Sequence, residues 1–226
     1  SKELELDENH QFNLIPAMDG QRWTIAIQGA SGDGKTLLIN NLCITYKKLY
    51  PKNNVIFITT QENIDYDKAL NREEVEYIFY EVNDFINRIQ GEYDSSVFKD
   101  SFVIFDDIDG TGDGSKENKE KEKVLWAFIN KGFEIFRKLN CSICLVYHGI
   151  NGRQVSRMVR EIKYYISFPS LITNSMFSYY LKLDRDVMKK ISSIRKSQIR
   201  NEGHQNFLII AIKKYFIMTK DKLFFI

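Results

Sequence analysis

The stretch Trp23-Thr-Ile-Ala-Ile-Gln-Gly-Ala-Ser-Gly-Asp-Gly-Lys-Thr36 decides the fold. Its apolar part, Trp23–Gln28, is typical of a buried strand, and Gly29–Thr36 matches the pattern Gly-x-x-x-x-Gly-Lys-Ser/Thr. A helical pattern, Lys35–Leu49, follows without a break. Glycines let successive backbone N–H groups turn towards one anion, and a helix N-terminus adds partial positive charge. The stretch therefore predicts a phosphate-binding loop, with a chance glycine-rich turn as the alternative.

This loop supplies the candidate nucleotide contacts, which are Gly29, Ala30, Ser31, Gly32, Asp33, Gly34, Lys35, Thr36 and Leu37. We expect Lys35 to act on the β- and γ-phosphates of ATP and the Thr36 hydroxyl to coordinate Mg²⁺. Asp33 is unusual because it places a carboxylate near anionic phosphate. We expect its side chain to point outward.

A second motif, Phe102-Val-Ile-Phe-Asp-Asp107, is an apolar strand that ends in two carboxylates. This order is typical of a Walker B strand. Asp106 is then expected to hold Mg²⁺, and Asp107 to act as the general base or to position the attacking water. The alternative is a strand followed by an acidic turn, because Asp109-Gly110 is a turn signal.

Polar residues also follow the apolar run Ile143–Tyr147, which predicts another strand. His148 ends this run, and we expect it to contact the γ-phosphate or the attacking water; a structural or exposed histidine is the alternative. Arg153, Arg157 and Arg160 come next on a predicted helix. One of them could reach the γ-phosphate of a neighbouring subunit, or all three could form a solvated basic face.

The order of the elements predicts the fold class. Predicted strands are Trp23–Gln28, Val55–Thr60, Phe102–Phe105, Ile143–Tyr147 and Tyr164–Phe168. Predicted helices are Lys35–Leu49, Arg72–Gln90 and Val124–Leu139, the last with a start near Glu120. Strands that alternate with helices favour an α/β fold with a mainly parallel sheet covered on both faces.

The C-terminal part is expected to extend this sheet with antiparallel strands joined by tight turns. Its predicted elements are a strand at Phe177–Leu183, a helix at Asp184–Arg200 and strands at Phe207–Ile212, Tyr215–Thr219 and Lys222–Phe225. We expect an N-terminal extension over residues 1–21, one ATPase domain over 22–226 and a sheet extension over 177–226. Within the domain, Gly110–Lys123 contains no apolar residue and is expected to be a flexible charged loop.

Composition excludes several classes of protein. Of the 226 residues, 43% are hydrophobic and 27% are charged, which excludes disorder as the main state. No apolar run is long enough for a membrane span, and the acidic N-terminal stretch does not look like a signal peptide. Three cysteines suggest a reducing, intracellular compartment, and Cys141 and Cys144 are expected to be buried core residues rather than metal ligands.

Charge is divided unevenly along the chain. Residues 1–110 carry 10 Lys/Arg and 20 Asp/Glu, whereas residues 111–226 carry 22 and 10, which favours a polyanionic partner for the second half. One face of the predicted C-terminal helix is basic, with Arg185, Lys189, Lys196 and Arg200, and the opposite face is apolar, with Val187, Ile191 and Ile194. The basic face could bind DNA phosphates, an anionic membrane or only water. The lysines of Gly110–Lys123 are a second candidate for gripping DNA.

Four pieces occur in an order that resembles one protein family. They are Gly29–Thr36, Val103–Asp107, His148-Gly-Ile-Asn-Gly-Arg-Gln-Val-Ser-Arg157 and Ile166-Ser-Phe-Pro169. Together they resemble the genome-packaging ATPases of large double-stranded DNA viruses and virophages, in the FtsK/HerA superfamily. The resemblance covers about residues 22–183.

Individual residues carry this resemblance to different degrees. Arg157 matches the arginine that follows a glycine in the family, and His148 matches the histidine that ends its fourth strand. Arg160-Glu161 stands where the family usually has Asn-Glu. Asp107 replaces a glutamate of FtsK itself, although viral members often carry aspartate there.

The resemblance implies a three-layer αβα, RecA/FtsK-like P-loop NTPase. It further implies a homo-oligomeric ring of five or six subunits that uses ATP and Mg²⁺ to move double-stranded DNA into a preformed capsid, with Arg157 acting in trans. The implied location is the virion or the viral factory in the host cytoplasm. Capsid vertex proteins and an internal viral membrane are further partners that it leaves open.

Three other functions stay open on the sequence alone. One is a different DNA-dependent ATPase of a helicase-like kind. A nucleotide-dependent switch or binding module would use the loop but would not need Asp107 as a second carboxylate. A P-loop kinase for small molecules would use Arg153–Arg160 as a lid over the nucleotide, but the antiparallel C-terminal strands are unlike such kinases.

Overall fold

The structure is a computed structural model that describes residues 3–5, 22–60, 64–91, 93–108, 116–147, 161–168, 183–202, 207–211, 216–219 and 222–225. The strands are β1 (Glu3–Glu5), β2 (Thr24–Gln28), β3 (Asn54–Thr59), β4 (Ile78–Glu81), β5 (Ser101–Asp106), β6 (Ser142–Tyr147), β7 (Tyr164–Ser167), β8 (Leu208–Ala211), β9 (Phe216–Met218) and β10 (Lys222–Phe225). The helices are α1 (Lys35–Leu49), α2 (Ile64–Arg72), α3 (Val82–Gln90), α4 (Lys116–Lys138) and α5 (Arg185–Glu202), with one 3₁₀ turn at Ser95–Phe98.

These elements form two compact units. The first unit contains β1, β2, the loop up to Gly34, β7, α5 and β8–β10. The second unit contains Trp23, α1–α4 and β3–β6.

The second unit is built on a parallel sheet. Its strand order is β6-β5-β3-β4, and β5 pairs in parallel with both β3 and β6. Both β3 and β5 are buried along nearly their whole length. Continuous apolar runs without alternation are what a strand covered on both faces requires. The register places Thr59 of β3 beside Asp106 of β5, so the two strands end together.

Helices cover both faces of this parallel sheet. On one face the Phe102 ring packs edge-on against Trp23, at 5.6 Å between ring centroids, and also contacts Tyr46 of α1. On the other face Phe85 of α3 contacts Phe105 of β5 and Phe128 of α4. Edge-to-face aromatic contacts add to the burial energy of these rings. The second unit therefore has the three-layer αβα arrangement.

The first unit combines one parallel pair with an antiparallel sheet. Here β2 pairs in parallel with β7, and the antiparallel order β7-β8-β9-β10-β1 follows. Helix α5 buries Met188, Ile191 and Ile194. The predicted fold class, α/β with a mainly parallel sheet extended by antiparallel C-terminal strands, is confirmed. Strand β1 was not predicted.

The predicted helix over Arg72–Gln90 is wrong. Helix α2 ends at Arg72, β4 follows, and α3 begins at Val82. The apolar residues Ile78–Tyr80 pair in parallel with β3, and the Glu81 carboxylate caps α3 by accepting from two backbone N–H groups. Strand pairing and a helix cap therefore override the helical pattern of the local sequence.

Helix α4 begins at Lys116, earlier than the predicted start near Glu120. Residues 116–123, which we expected to belong to a flexible loop, are helical. The Glu117 and Lys121 side chains pair at 3.0 Å, and Glu120 and Lys123 pair at 2.7 Å. Such i,i+4 and i,i+3 pairs stabilise a helix that has no apolar face of its own there.

The three cysteines are buried and unbridged, as expected for core residues. Burial raises the pKa of the Cys141 thiol to about 12. Residues 177–182 of the predicted strand Phe177–Leu183 lie outside the described residues. Among the helices that the structure describes, none has the length and apolar character to cross a membrane.

Candidate functional site

The loop between β2 and α1 has the geometry that its sequence predicts. Strand β2 ends at Gln28, and α1 begins at Lys35. Gly32 and Gly34 have φ angles of +84° and +100°, which residues with a Cβ rarely adopt. Two such residues let the backbone of a short loop turn its N–H groups inward. Leu37, in the first turn of α1, is 66% exposed.

Asp33 does not point outward, which corrects the expectation for this residue. It is only 9% exposed, and its Oδ2 accepts a hydrogen bond of 2.7 Å from the backbone N–H of Ala30. The Asp33 N–H in turn donates to the Ala30 carbonyl at 3.3 Å. A short carboxylate three residues along a tight loop can reach a backbone donor of the same loop. Asp33 therefore links its own position in the loop to Ala30 through two hydrogen bonds.

Phe168 supports this loop from the end of β7. A Cβ on Gly29 would lie 3.0 Å from Phe168 and 2.9 Å from the Asp33 carboxylate, so only glycine fits there. A Cβ on Gly34 would lie 3.9 Å from the same ring, which is ordinary contact. The Phe168 N–H donates to the Gln28 carbonyl at 2.9 Å. The aromatic residue of Ile166-Ser-Phe-Pro169 thus packs against the loop.

In the second unit, the first turn of α1 carries Lys35 and Thr36, and β5 ends at Asp106. Burial raises the pKa of Asp106, and the charge of Asp107 adds to this rise. The Tyr66 hydrogen bond and the positive charge of Lys35 act in the opposite direction. Lys35 is 9% exposed, and its positive charge lowers the pKa of Asp106, the carboxylate predicted to hold the metal.

Tyr66 of α2 joins the two motifs. Its hydroxyl donates a hydrogen bond to the Asp106 carboxylate and is also hydrogen-bonded to Thr36. The residue is 3% exposed, and burial together with the Asp106 charge raises its pKa. The oxygens of Thr36 and Asp106 therefore converge on one hydroxyl oxygen.

This convergence fits a site for Mg²⁺. Magnesium prefers oxygen ligands and usually takes one or two from the protein while substrate phosphates and water supply the others. Thr36 and Asp106 offer a hydroxyl and a carboxylate whose oxygens both reach the Tyr66 hydroxyl. The predicted pair of metal ligands is thus brought together.

Asp107 lies one residue beyond β5 with an uncommon backbone conformation. Its φ is +54°, in the left-handed region that aspartate tolerates better than most residues. The Thr60 hydroxyl donates to its Oδ2 at 3.3 Å. Backbone conformations of this kind are concentrated at functional sites. Asp107 is half-buried, so its carboxylate is partly accessible to water.

Tyr66 was not among the predicted site residues because α2 was not predicted. The residue follows β3, the strand next to β5, and that position was the only available signal. His148 and Arg157, as well as Arg153 and Arg160, lie outside the described residues. Their predicted roles stay predictions.

The basic face of α5 is present in part. Arg185, Lys189 and Lys196 are exposed. On the opposite face Ile191 and Ile194 are buried as predicted, whereas Val187 is only half-buried. The Lys189 ammonium pairs with Asp186 at 3.5 Å. Arg200 belongs to α5, but its side chain lies outside the described part of the chain.

Comparison with known proteins places the chain in a family. The model of the poxvirus A32 protein family matches residues 15–211, which include the loop, both carboxylates and Phe168. The chain belongs to the poxvirus A32 family. Among curated proteins, none matches this A32-family chain in sequence.

Solved structures share the fold of this A32-family chain. The genome packaging NTPase B204 of Sulfolobus turreted icosahedral virus 2, in complex with ATPγS, aligns with a TM-score of 0.55 and 15% identity over 89% of this chain and 98% of B204. The pCW3 conjugation coupling protein TcpA, with ATPγS, aligns at 0.54 and 12% identity over 84% of this chain and 58% of its own. The cytoplasmic domain of the type VII secretion ATPase EccC from Thermomonospora curvata aligns at 0.54 and 10% identity over 91% of this chain and 25% of its own. The resemblance to viral genome-packaging ATPases is thereby confirmed at the level of family and fold.

Proposed function

We propose that this A32-family chain is the ATP-hydrolysing subunit of a motor that moves double-stranded DNA into a viral capsid. The observation that carries the proposal is the convergence of Thr36 and Asp106 on the Tyr66 hydroxyl. It brings the ends of two separate sequence motifs to one point, as an NTP-hydrolysing site requires. The fold shared with B204, a genome packaging NTPase solved with ATPγS, supports the same proposal.

Each residue of the site has a role that its position allows. The loop Gly29–Gly34 offers backbone N–H groups to phosphate oxygens, and Lys35 neutralises charge on the β- and γ-phosphates. Mg²⁺, when bound, would neutralise further charge on these phosphates, and Thr36 and Asp106 would hold it. Asp107 accepts the proton of the attacking water or orients that water.

The sequence resemblance supplies the rest of the proposed active site. His148 would contact the γ-phosphate or the water, and Arg157 would act in trans on ATP bound by a neighbouring subunit. A trans arginine requires an oligomer, which we propose to be a ring of five or six subunits. The exposed basic residues of α5 are the proposed surface for DNA phosphates.

The test is ATP hydrolysis with Mg²⁺, measured with and without double-stranded DNA. We expect DNA to stimulate hydrolysis in the parental protein, and we expect Asp107→Asn to remove both basal and stimulated activity. Light scattering on the same samples should show a ring that forms with ATP and Mg²⁺. Tight ATP binding with no turnover, with or without DNA, would favour the nucleotide-dependent switch instead.

A further inference from the structure

Asp107 lies just beyond the strand ladder of the parallel sheet. It follows β5 directly, and the ladder between β3 and β5 ends at Asp106. Its φ of +54° turns the chain away from the strand direction. A general base must be held in a narrow range of positions relative to the attacking water, because small displacements lower the rate strongly. The direction of the Asp107 carboxylate must therefore be controlled by side-chain contacts.

Thr60 stands beside Asp107, one residue beyond the end of the neighbouring strand. The parallel register pairs Thr59 of β3 with Asp106 of β5, so the next residues of the two segments lie at the same level. The Thr60 hydroxyl donates a hydrogen bond to Asp107 Oδ2 at 3.3 Å, although 47 positions separate the two residues. The contact lies wholly within the second unit.

The strand that carries Thr60 is a firm support. Strand β3 pairs in parallel with β4 on one side and with β5 on the other. Its residues Val55–Thr59 are buried, and Thr59 is only 4% exposed. Buried strands of this kind are the parts of a fold that open least readily. The Thr60 hydroxyl is therefore a donor at a fixed place, against which a carboxylate outside the ladder can be held.

This hydrogen bond can direct the carboxylate without blocking its chemistry. An ionised carboxylate has about four lone-pair sites, and one hydroxyl donor engages only one of them. The distance of 3.3 Å between Thr60 Oγ1 and Asp107 Oδ2 exceeds the usual distance of about 2.7–2.8 Å for an O–H···O bond. We therefore expect its loss to slow hydrolysis moderately, and less than the loss of the Asp107 carboxylate itself.

We propose that Thr60 is a positioning residue for ATP hydrolysis, because its hydroxyl fixes the direction in which the Asp107 carboxylate meets the attacking water. In that step the water oxygen bonds to the γ-phosphorus, the bond between the γ-phosphorus and ADP breaks, and a water proton passes to Asp107. The proposal rests on the proposed function, because it assumes that Asp107 acts in hydrolysis. It makes the end of β3 part of the active site, although β3 belongs to neither sequence motif.

The test compares Thr60→Val with Thr60→Ser in steady-state ATP hydrolysis with Mg²⁺. Valine keeps the branched shape of threonine but has no hydroxyl, whereas serine keeps the hydroxyl and loses the methyl group. Thr60→Val should lower kcat about tenfold, as loss of a hydrogen bond to a charged group does, and should change KM for ATP less than about twofold. Thr60→Ser should stay within about threefold of the parental kcat, since its hydroxyl can still donate.

Two controls separate positioning from packing. Thr45→Val makes the same change at a half-buried threonine of α1, and it should leave kcat and KM at their parental values. In the Asp107→Asn background, read by single-turnover hydrolysis of γ-labelled ATP, Thr60→Val should cost less than about twofold, because no carboxylate is left to direct. Binding of a fluorescent methylanthraniloyl derivative of ATP should be unchanged by Thr60→Val in both backgrounds, which tests the nucleotide site without turnover.

Several results would contradict the positioning role. Equal losses of kcat for Thr60→Val and Thr60→Ser, or equal losses for Thr60→Val in the parental and Asp107→Asn backgrounds, would show that the hydroxyl does not act through the carboxylate. A faster Thr60→Val enzyme would show that the contact restrains Asp107 instead. If Thr60→Val does not fold, Thr60→Ala takes its place with the same expected loss.

Failure of this proposal and failure of the proposed function give different results. A parental protein that hydrolyses no ATP would overturn the proposed function and the role of Thr60 with it. Normal parental turnover, together with an unchanged kcat in Thr60→Val, would overturn the role of Thr60 alone.

Discussion

The Tyr66 hydroxyl donates a hydrogen bond to the Asp106 carboxylate across 40 positions of sequence. The contact joins α2, which follows β3, to the end of β5, and β3 and β5 are neighbouring parallel strands. The carboxyl ends of parallel strands meet at one edge of a sheet, where ligands bind in open α/β folds. The same hydroxyl reaches Thr36, so Tyr66 marks the point where the proposed metal ligands meet.

Tyr66→Phe should weaken the response of the protein to Mg²⁺ most at mildly acidic pH. The phenylalanine ring keeps the contact with Phe57, at 4.7 Å between ring centroids, but Asp106 loses a donor that lowers its pKa. Asp106 must be ionised to hold a metal. The Mg²⁺ concentration for half-maximal ATP hydrolysis should therefore rise more at the lower of two assay pH values than at the higher one. An equal effect at both pH values would contradict this reasoning.

Asp106→Asn should stabilise the nucleotide-free protein at neutral pH while it abolishes Mg²⁺-dependent activity. Burial raises the pKa of Asp106 in the folded state, so ionised Asp106 destabilises the fold. The stability that protonated Asp106 gives is complete below the unfolded pKa of about 4 and is lost as pH rises through the higher folded pKa. The gain in melting temperature from Asp106→Asn should thus be largest above the folded pKa and shrink as pH falls. A variant less stable than the parent at pH 7.5 would contradict this.

Asp107→Asn should retain Mg²⁺ and ATP but hydrolyse ATP about 10² to 10⁴ times more slowly, the usual contribution of a general base. Asparagine tolerates the φ of +54° and can still accept the Thr60 hydrogen bond, so the fold should not change. Hydrolysis at the parental rate would exclude Asp107 from catalysis. Asp106→Asn is the informative comparison, because it should lose Mg²⁺ binding instead.

Features that depend on residues close together in the chain could be predicted from the sequence. The bounds of α1 were predicted correctly, and the loop and the two carboxylates were found because each is a local motif. Tyr66 was missed because its role depends on Asp106, a partner 40 positions away in the chain. The direction of Asp33 was predicted wrongly because a loop carboxylate can turn inward when a backbone N–H of the same loop donates a hydrogen bond to it. Strand β4 was missed because its short apolar run is stabilised by pairing with β3.

Arg157→Ala should lower ATP turnover by about 10³-fold or more and leave ATP affinity nearly unchanged, as loss of an arginine finger does. If the arginine acts in trans, a mixture of this variant with Asp107→Asn should recover activity, since one interface then combines an intact arginine with an intact carboxylate. Co-assembly must be verified by light scattering. Mixtures that assemble and stay inactive would argue against the trans role.

The basic face of α5 makes a quantitative prediction for DNA binding. If Arg185, Lys189, Lys196 and Arg200 contact phosphates, affinity for double-stranded DNA should fall linearly on a log–log salt plot, by about 0.9 per phosphate neutralised. Replacing all four by glutamine should flatten this slope. The slope should change by about 2.7 rather than about 3.6, the value for four phosphates, because Lys189 already pairs with Asp186. DNA-free hydrolysis should stay near the parental rate, and the protein should show little sequence preference.

Lysines of α4 provide the matched control for this experiment. Lys121 and Lys123 are each paired with a glutamate of the same helix, at 3.0 and 2.7 Å. Their charges are therefore locally balanced, and changing both to glutamine should alter the salt slope much less than the α5 changes do. If the α4 changes flatten the slope and the α5 changes do not, the DNA contact belongs to α4. Loss of binding to anionic vesicles in the α5 variant, with DNA binding unchanged, would instead assign the basic face of α5 to a membrane surface.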